Sequence, residues 1–135
     1  MRFMMIVKAN NDSEAGVMPA ETLIAAMMKY NEELAKAGVL LDLAGLQPSS
    51  NGTRIKFAGG KRTVTNGPFP NTNELIAGYW LIRVNSKEEA IEWAKRCPAG
   101  ANDVIEIRRV HEMEDFGPEV ARQERELAGK IASQR

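Results

Sequence analysis

The segment from Leu75 to Val84 constrains the fold most, because it reads as a β-strand that is apolar on both faces. Side chains of a strand alternate between its two faces. The two rows are Leu75, Ala77, Tyr79 and Leu81 on one face, and Ile76, Trp80, Ile82 and Val84 on the other. A sheet built around this strand must therefore be covered on both faces.

The segments before this strand predict a strand, a helix and a second strand. Residues 2 to 9 alternate with apolar side chains on both faces. After a polar loop, Pro19 occupies a helix-start position, and apolar residues recur at helical spacing up to Leu34, until Gly38 ends the pattern. Residues 39 to 46 predict the next strand, so the chain opens as strand, helix, strand.

An extra hairpin is predicted between the second strand and the apolar strand. Two short strand patterns, 53 to 57 and 61 to 65, flank Gly59-Gly60, a pair that tolerates the positive φ angles of a tight hairpin turn. We expect this hairpin to be an insertion at the edge of the main sheet.

A second helix and a last strand complete the domain. Ser86 and Glu89 have the spacing of a capping box, in which each side chain binds a free backbone amide at the helix start. The helix should end before Pro98, and residues 104 to 110 supply the last strand. The order predicts an α+β domain with a ferredoxin-like split βαβ arrangement and an inserted β-hairpin. Two helices cover only one sheet face, so we infer a homodimer whose sheets face each other.

Composition narrows the classes of function. Eighteen Lys and Arg balance eighteen Asp and Glu, so no overall field favours nucleic acid. No apolar run approaches the roughly 20 residues of a membrane helix. The apolar stretch at the start is too short for a signal peptide, and Cys97 is the only cysteine. We therefore expect a cytoplasmic protein without a nucleic-acid or membrane partner.

Two quoted stretches carry a family resemblance. "VTNGPFPNTNELIAGYWLIRVNSKEEAIEWAKRCP" and "YNEELAKAGVLLDLAGLQPSS" resemble the DGPF region and an upstream segment of the YCII-related family. The resemblance covers roughly residues 1 to 112 and leaves residues 113 to 135 as a charged helical tail. It implies a dimeric α+β barrel. It also implies two kinds of role, because some relatives are similar to dehydrochlorinating enzymes and the DGPF branch is associated with sigma factors.

The sequence departs from the family pattern at two points. The YCII branch carries a proposed His and Asp pair, whereas the single histidine here, His111, follows the last strand and does not match it. The aspartate of the D-G-P-F turn is Asn66 here. An amide cannot accept a proton as a carboxylate does, which argues against acid–base chemistry at this turn.

Tyr79, Arg83 and Asp42 are the first group of candidate site residues. Tyr79 and Arg83 share one face of the best strand, where an arginine suits an anionic ligand and a tyrosine suits hydrogen bonding or stacking. Interface packing with a salt bridge is the alternative. Asp42, in an otherwise apolar strand, is exposed, paired with an arginine, or a proton acceptor.

The turn after the hairpin provides the second group. Asn66, Gly67 and Pro68 are typical turn residues, which gives them a structural reading. Thr65 and Asn66 remain candidate hydrogen-bonding residues at the mouth of a cleft, since functional residues concentrate in loops on rigid scaffolds.

The sequence predicts no metal and no cofactor. His111 lacks partner ligands, Cys97 lies at a helix end that disfavours a thiolate, and Gly59-Gly60-Lys61 precedes a strand rather than a phosphate-binding helix. The first functional hypothesis is a dimeric domain that binds a small anionic or aromatic molecule between subunits or under the hairpin. The second is a lyase or dehydrochlorinase with Asp42 as base, and the third is a regulatory module whose tail captures a protein partner.

Overall fold

The computed structural model describes residues 1–134 and has an α+β architecture with two antiparallel sheets. The strands are β1 (Arg2–Lys8), β2 (Leu40–Gly45), β3 (Thr53–Ala58), β4 (Lys61–Asn66), β5 (Ile76–Arg83) and β6 (Ile105–Arg109). The helices are α1 (Asn11–Glu14), α2 (Glu21–Lys36), α3 (Lys87–Lys95) and α4 (Pro118–Ser133). Three short 3₁₀ turns cover Ser49–Asn51, Thr72–Glu74 and Met113–Phe116.

The main sheet has the strand order β2-β5-β1-β6, and every neighbouring pair is antiparallel. The apolar strand predicted around Leu75 to Val84 is β5, which lies inside the sheet between β1 and β2. Met5 of β1 stands opposite Trp80 of β5 on one side and Ile107 of β6 on the other. The predicted strands are therefore confirmed, with ends that differ by one or two residues.

Helices α2 and α3 pack on one face of this sheet and form the core. Met5, Leu34 and Ile82 are completely enclosed. The ring of Tyr30 packs edge-on against Trp80 with centroids 5.4 Å apart, and its hydroxyl donates a 2.7 Å hydrogen bond to the backbone oxygen of Trp93. Burying that hydroxyl is tolerated because it has this partner, and the bond joins α2 to α3.

The predicted helix start at Ser86 is correct in its serine half. The Ser86 hydroxyl accepts a hydrogen bond from the Glu89 amide at 3.1 Å. The Glu89 carboxylate, however, accepts from the amide of Asn85, one residue before the expected one. A second difference concerns the predicted polar loop, which contains the single-turn helix α1. A reciprocal pair of hydrogen bonds between Asn10 and Ser13 caps that helix.

The opposite face of the main sheet is called the open face here. Met4, Ile6 and Leu81 project onto it, because they alternate with buried neighbours, and all three are only partly buried. The charged tail contains α4, which contacts mainly the Met113–Phe116 turn rather than the sheet. Its apolar residues Leu127 and Ile131 are about half exposed. None of the helices within residues 1–134 is both long and apolar enough to cross a membrane.

Strands β3 and β4 form a separate two-stranded sheet, called the arm here. Gly59 and Gly60 turn it with φ angles of 56° and 76°, which confirms the predicted hairpin turn. In the loop that follows, neither Asn66 nor Gly67 has a positive φ. Gly67 is required for another reason: a Cβ there would lie 1.8 Å from the backbone oxygen of Ser49.

We expect Gly67→Ala to destabilise the protein by about 3 kcal/mol, the upper end for overpacking, because backbone atoms rather than a flexible side chain must move aside. The free energy of unfolding measured in urea checks this prediction. Gly129→Ala is the matched control. Gly129 lies in α4 with open space around its Cα position and no positive φ, so this change should stabilise α4 by about 0.5–1 kcal/mol. Equal stability of the two variants would contradict the tight contact.

Candidate functional site

Asp42 and Tyr79 form a hydrogen-bonded pair on the open face. The Tyr79 hydroxyl donates to Oδ2 of Asp42 at 2.9 Å, and Oδ1 of Asp42 accepts from the backbone amide of Leu43 at 2.9 Å. The register of β2 against β5 shifts between Leu40 and Asp42, which leaves Leu41 as an extra residue. Such bulges redirect side chains and often lie beside functional sites, and this one places the Asp42 carboxylate opposite Leu81.

The contact fixes the protonation of the tyrosine. The hydrogen bond to the Asp42 carboxylate raises the pKa of Tyr79 above its ordinary value, and the negative charge of Asp42 acts in the same direction. Tyr79 therefore remains a neutral phenol that holds the carboxylate in place. An ionised carboxylate has about four lone-pair sites, of which these two contacts use two. The remaining lone pairs of the exposed Asp42 carboxylate can thus accept a further proton or hydrogen bond from a ligand.

Arg83 lies on the same face of β5, four residues beyond Tyr79. The backbone of a strand advances about 3.3 Å per residue, so the two Cα atoms are roughly 13 Å apart. Arg2 stands opposite Arg83 and binds Glu112 with two hydrogen bonds of 3.0 and 3.1 Å. These bonds lower the pKa of Glu112. Arg83 is exposed, and within residues 1–134 its guanidinium makes no ion pair.

The structure thus brings two of the predicted residues together and leaves the third along the same row. Asp42 meets Tyr79 directly, and among residues 1–134 it forms no ion pair with an arginine. Leu81 lies between Tyr79 and Arg83, as the strand alternation predicts. The open face therefore presents a carboxylate at one end, an apolar middle and an arginine at the other end.

Thr65 and Asn66 lie on the arm. The Asn66 side-chain oxygen accepts a hydrogen bond from the Thr53 hydroxyl at 2.9 Å. This bond links the first residue of β3 to the last residue of β4 at the base of the arm. Thr65 stands opposite Arg54 across the ladder. Their ligand-binding roles stay a prediction, and the Asn66 contact adds a structural role to it.

The turn after Asn66 is anchored by Ser49. The Ser49 hydroxyl accepts a hydrogen bond from the Phe69 amide at 2.9 Å and donates to a carboxylate oxygen of Glu14 at 2.5 Å. The other Glu14 oxygen accepts from the Ser49 amide at 2.9 Å. These two bonds lower the pKa of Glu14. Ser49, in the turn that follows β2, therefore connects helix α1 to the turn after the arm.

Two cavities lie near the predicted site residues, and the sequence anticipated only the possibility of a pocket under the hairpin. One, of about 220 Å³, lies between α2 and the sheet, where Gly45 and Gly78 bring no side chains, and it is mostly apolar. The other, called the arm cleft here, has a volume of about 650 Å³ and lies between the arm, the end of β2 and the start of β5. Arg54 and Phe69 line it. The sequence signal for this cleft was the basic arm itself, but only the fold places Phe69 beneath Arg54.

The remaining reactive side chains have structural surroundings. Burial raises the pKa of Cys97 to about 11, and the nearby charge of Asp103 adds to the effect, so Cys97 remains a neutral thiol. His111 is exposed beside Phe116, with ring centroids 5.0 Å apart. Within residues 1–134, no group of three His, Cys, Asp or Glu side chains gathers as metal ligands would.

Comparisons with known proteins include a relative from sequence and a solved structure. The chain is 34% identical over 73 residues to a protein of uncharacterised function from Rhizobium meliloti (strain 1021). That match covers 54% of this chain and 56% of the relative, so it spans little more than half the length of that relative. The solved structure is a 5-chloro-2-hydroxyhydroquinone dehydrochlorinase from Burkholderia phenoliruptrix AC1100, in complex with 2,5-dihydroxybenzoquinone. It is 15% identical, with 82% of this chain and 95% of that chain covered, and its TM-score of 0.41 is too low to transfer fold or function.

A family model gives the assignment. The model of the YCII-related domain matches residues 1–114, which include the whole main sheet, the arm and both core helices. This range also agrees closely with the extent of the resemblance read from the two quoted stretches. The chain therefore belongs to the YCII-related domain family.

Proposed function

We propose that the protein binds a small molecule on the open face, with the Asp42–Tyr79 hydrogen bond as the observation that carries the proposal. The pair holds an exposed carboxylate as an acceptor, and Arg83 supplies a cation further along the same face. Leu81 and Met4 form the apolar surface between them. This order suits a ligand with a hydroxyl group at one end, an aromatic middle and an anionic group at the other.

The proposal includes a homodimer. Met4, Ile6 and Leu81 leave apolar surface on the open face, and a second ferredoxin-like sheet facing the first would cover it. The product is a dimeric α+β barrel with the ligand between the subunits. Ligand pockets are mostly enclosed and apolar, with few polar groups, and the open face of one chain alone does not meet that condition.

A second candidate function is that of a lyase, favoured by the exposed Asp42 carboxylate and by the resemblance to dehydrochlorinating relatives. In that reaction Asp42 takes a proton from the substrate. The electron pair left behind forms a new double bond, and chloride departs with its bonding pair. Arg83 binds the anionic group of the substrate and Tyr79 keeps the base in position. The binding site is the same, so the two functions differ only in turnover.

If the subunits pair through the open face, a charge introduced on that face should separate them. Leu81→Glu should turn a dimer at micromolar concentration into a monomer, because two carboxylates would be buried without partners. Light scattering coupled to size-exclusion chromatography measures the mass. Ala25→Glu, on the exposed surface of α2, is the control and should remain dimeric. A wild-type monomer at about 100 μM would refute the dimer.

The binding site predicts that 4-hydroxybenzoate stabilises the wild-type protein. A ligand at about 100 times its Kd adds about 2.7 kcal/mol to the free energy of unfolding. Asp42→Asn and Arg83→Ala should each weaken binding about tenfold, since each removes a charge-assisted contact. A titration followed by two-dimensional amide NMR, read at Leu43 and Leu81 beside the Asp42 carboxylate, gives the Kd of this site. Asp12→Asn makes the same charge change on α1 and should bind like the wild type. Undiminished binding by Asp42→Asn would exclude this site.

Turnover separates the lyase from the binding protein. Chloride release from chlorinated hydroquinone acids, which become quinones when they lose HCl, should be about a thousandfold or more slower in Asp42→Asn, the scale of a general base. Full turnover by Asp42→Asn would rule out the lyase while leaving the binding proposal to its own test.

A further inference from the structure

We propose that the arm cleft is a second ligand site, which binds a single carboxylate group attached to an apolar or aromatic body. It lies on the arm side of the molecule and shares no lining residue with the Asp42–Tyr79 pair. Its volume of about 650 Å³ is within the range of small-molecule sites. The inference does not depend on the function proposed for the open face.

The first observation is the orientation of Arg54. Its guanidinium carbon lies 3.9 Å from the centroid of the Phe69 ring, so the cation rests on the face of the ring. A stacked guanidinium still has its N–H donors directed outward in its own plane. Those donors match the two oxygens of a carboxylate.

Phe69 is itself held in place. Its amide donates to the Ser49 hydroxyl, which in turn donates to Glu14. The ring is half-buried, whereas most of the arm is exposed. The cation therefore rests on an anchored support rather than on a freely moving loop, which reduces the entropy lost when a ligand orders Arg54.

The second observation is that Arg54 lacks an anionic partner within residues 1–134. Its side chain takes part in none of the ion pairs of this region. Thr65 stands across the ladder from it, and directly opposed side chains have Cβ atoms about 5 Å apart. The hydroxyl of Thr65 is thus near enough to assist the same ligand.

The charge of the arm reinforces the preference for an anion. Strands β3 and β4 with their turn contain two arginines and two lysines and no acidic residue, in a chain whose total charge is zero. Leu46, Leu75 and Ile76 give the cleft an apolar wall for the body of the ligand. Glu74 also lines the cleft and disfavours a second negative charge. The chemistry therefore selects a monocarboxylate over a polyanion.

The experiment compares two arginines of the same arm. Benzoate is titrated into Arg54→Gln and Arg62→Gln, and binding is followed by two-dimensional amide NMR. Arg62 stacks at 5.5 Å on Phe57, outside the cleft lining, so it provides the same charge change on the same arm. We expect Arg54→Gln to weaken benzoate binding about tenfold or more and Arg62→Gln to change it less than about threefold.

Two further measurements show where benzoate binds and whether its charge is needed. In the wild type, benzoate should shift the amide signals of Gly52, Arg54 and Phe69, whereas the neutral benzamide should bind about tenfold more weakly. The NMR spectrum of each variant also shows that it is folded. Equal losses in both arginine variants, equal binding of benzamide, or unmoved signals of Gly52, Arg54 and Phe69 would each overturn the site. The open face is tested by 4-hydroxybenzoate at residues outside the cleft lining, so failure here is distinguishable from failure at the open face.

Discussion

The architecture depends on a sheet whose two central strands, β1 and β5, carry apolar side chains on both faces, while helices α2 and α3 cover only one face. Helices α2 and α3 enclose Met5 and Ile82 from one side, and their own contact is fixed by the Tyr30 hydroxyl on the Trp93 backbone. Within residues 1–134, no third helix makes comparable contacts with the sheet on the side of Met4 and Leu81. The helix side therefore stabilises the fold, while the open face is available for a partner subunit and for polar groups. Asp42 tolerates its place in an apolar strand because it lies on that face.

The arm depends on a different contact, the one between Ser49 and the turn at Gly67. An isolated two-stranded hairpin is at best marginally stable in water, and both strands of the arm are exposed along their length. Its base, however, is fixed by the Gly67 amide on the Gly52 oxygen at 2.9 Å and by Phe69 on Ser49. The turn itself therefore has a structural role. It would affect a ligand in the proposed arm-cleft site through the position in which it holds Phe69.

Much of the fold could be predicted from the sequence because its signals are local. Alternation defined β5, and the serine cap located α3 within a residue. The candidate site was less accessible. That Asp42 meets Tyr79 depends on the bulge at Leu41, which changes the register by one residue and has no clear sequence signal. The stack of Arg54 on Phe69 joins residues 15 positions apart and depends on how closely the Gly67 backbone approaches Ser49. Contacts of this kind are decided by tertiary packing, which a local pattern does not contain.

Zero net charge is a poor guide to what this chain binds, because its charges are separated in space. The arm holds four cations and no acid, so the rest of the chain carries an equal acidic excess. Over distances beyond the Debye length of about 8 Å the two regions act independently. An anionic ligand near the arm therefore experiences a positive field. The Asp42 end of the open face instead favours a ligand group that donates a proton to the carboxylate. Zero net charge therefore leaves room for two small sites of opposite character.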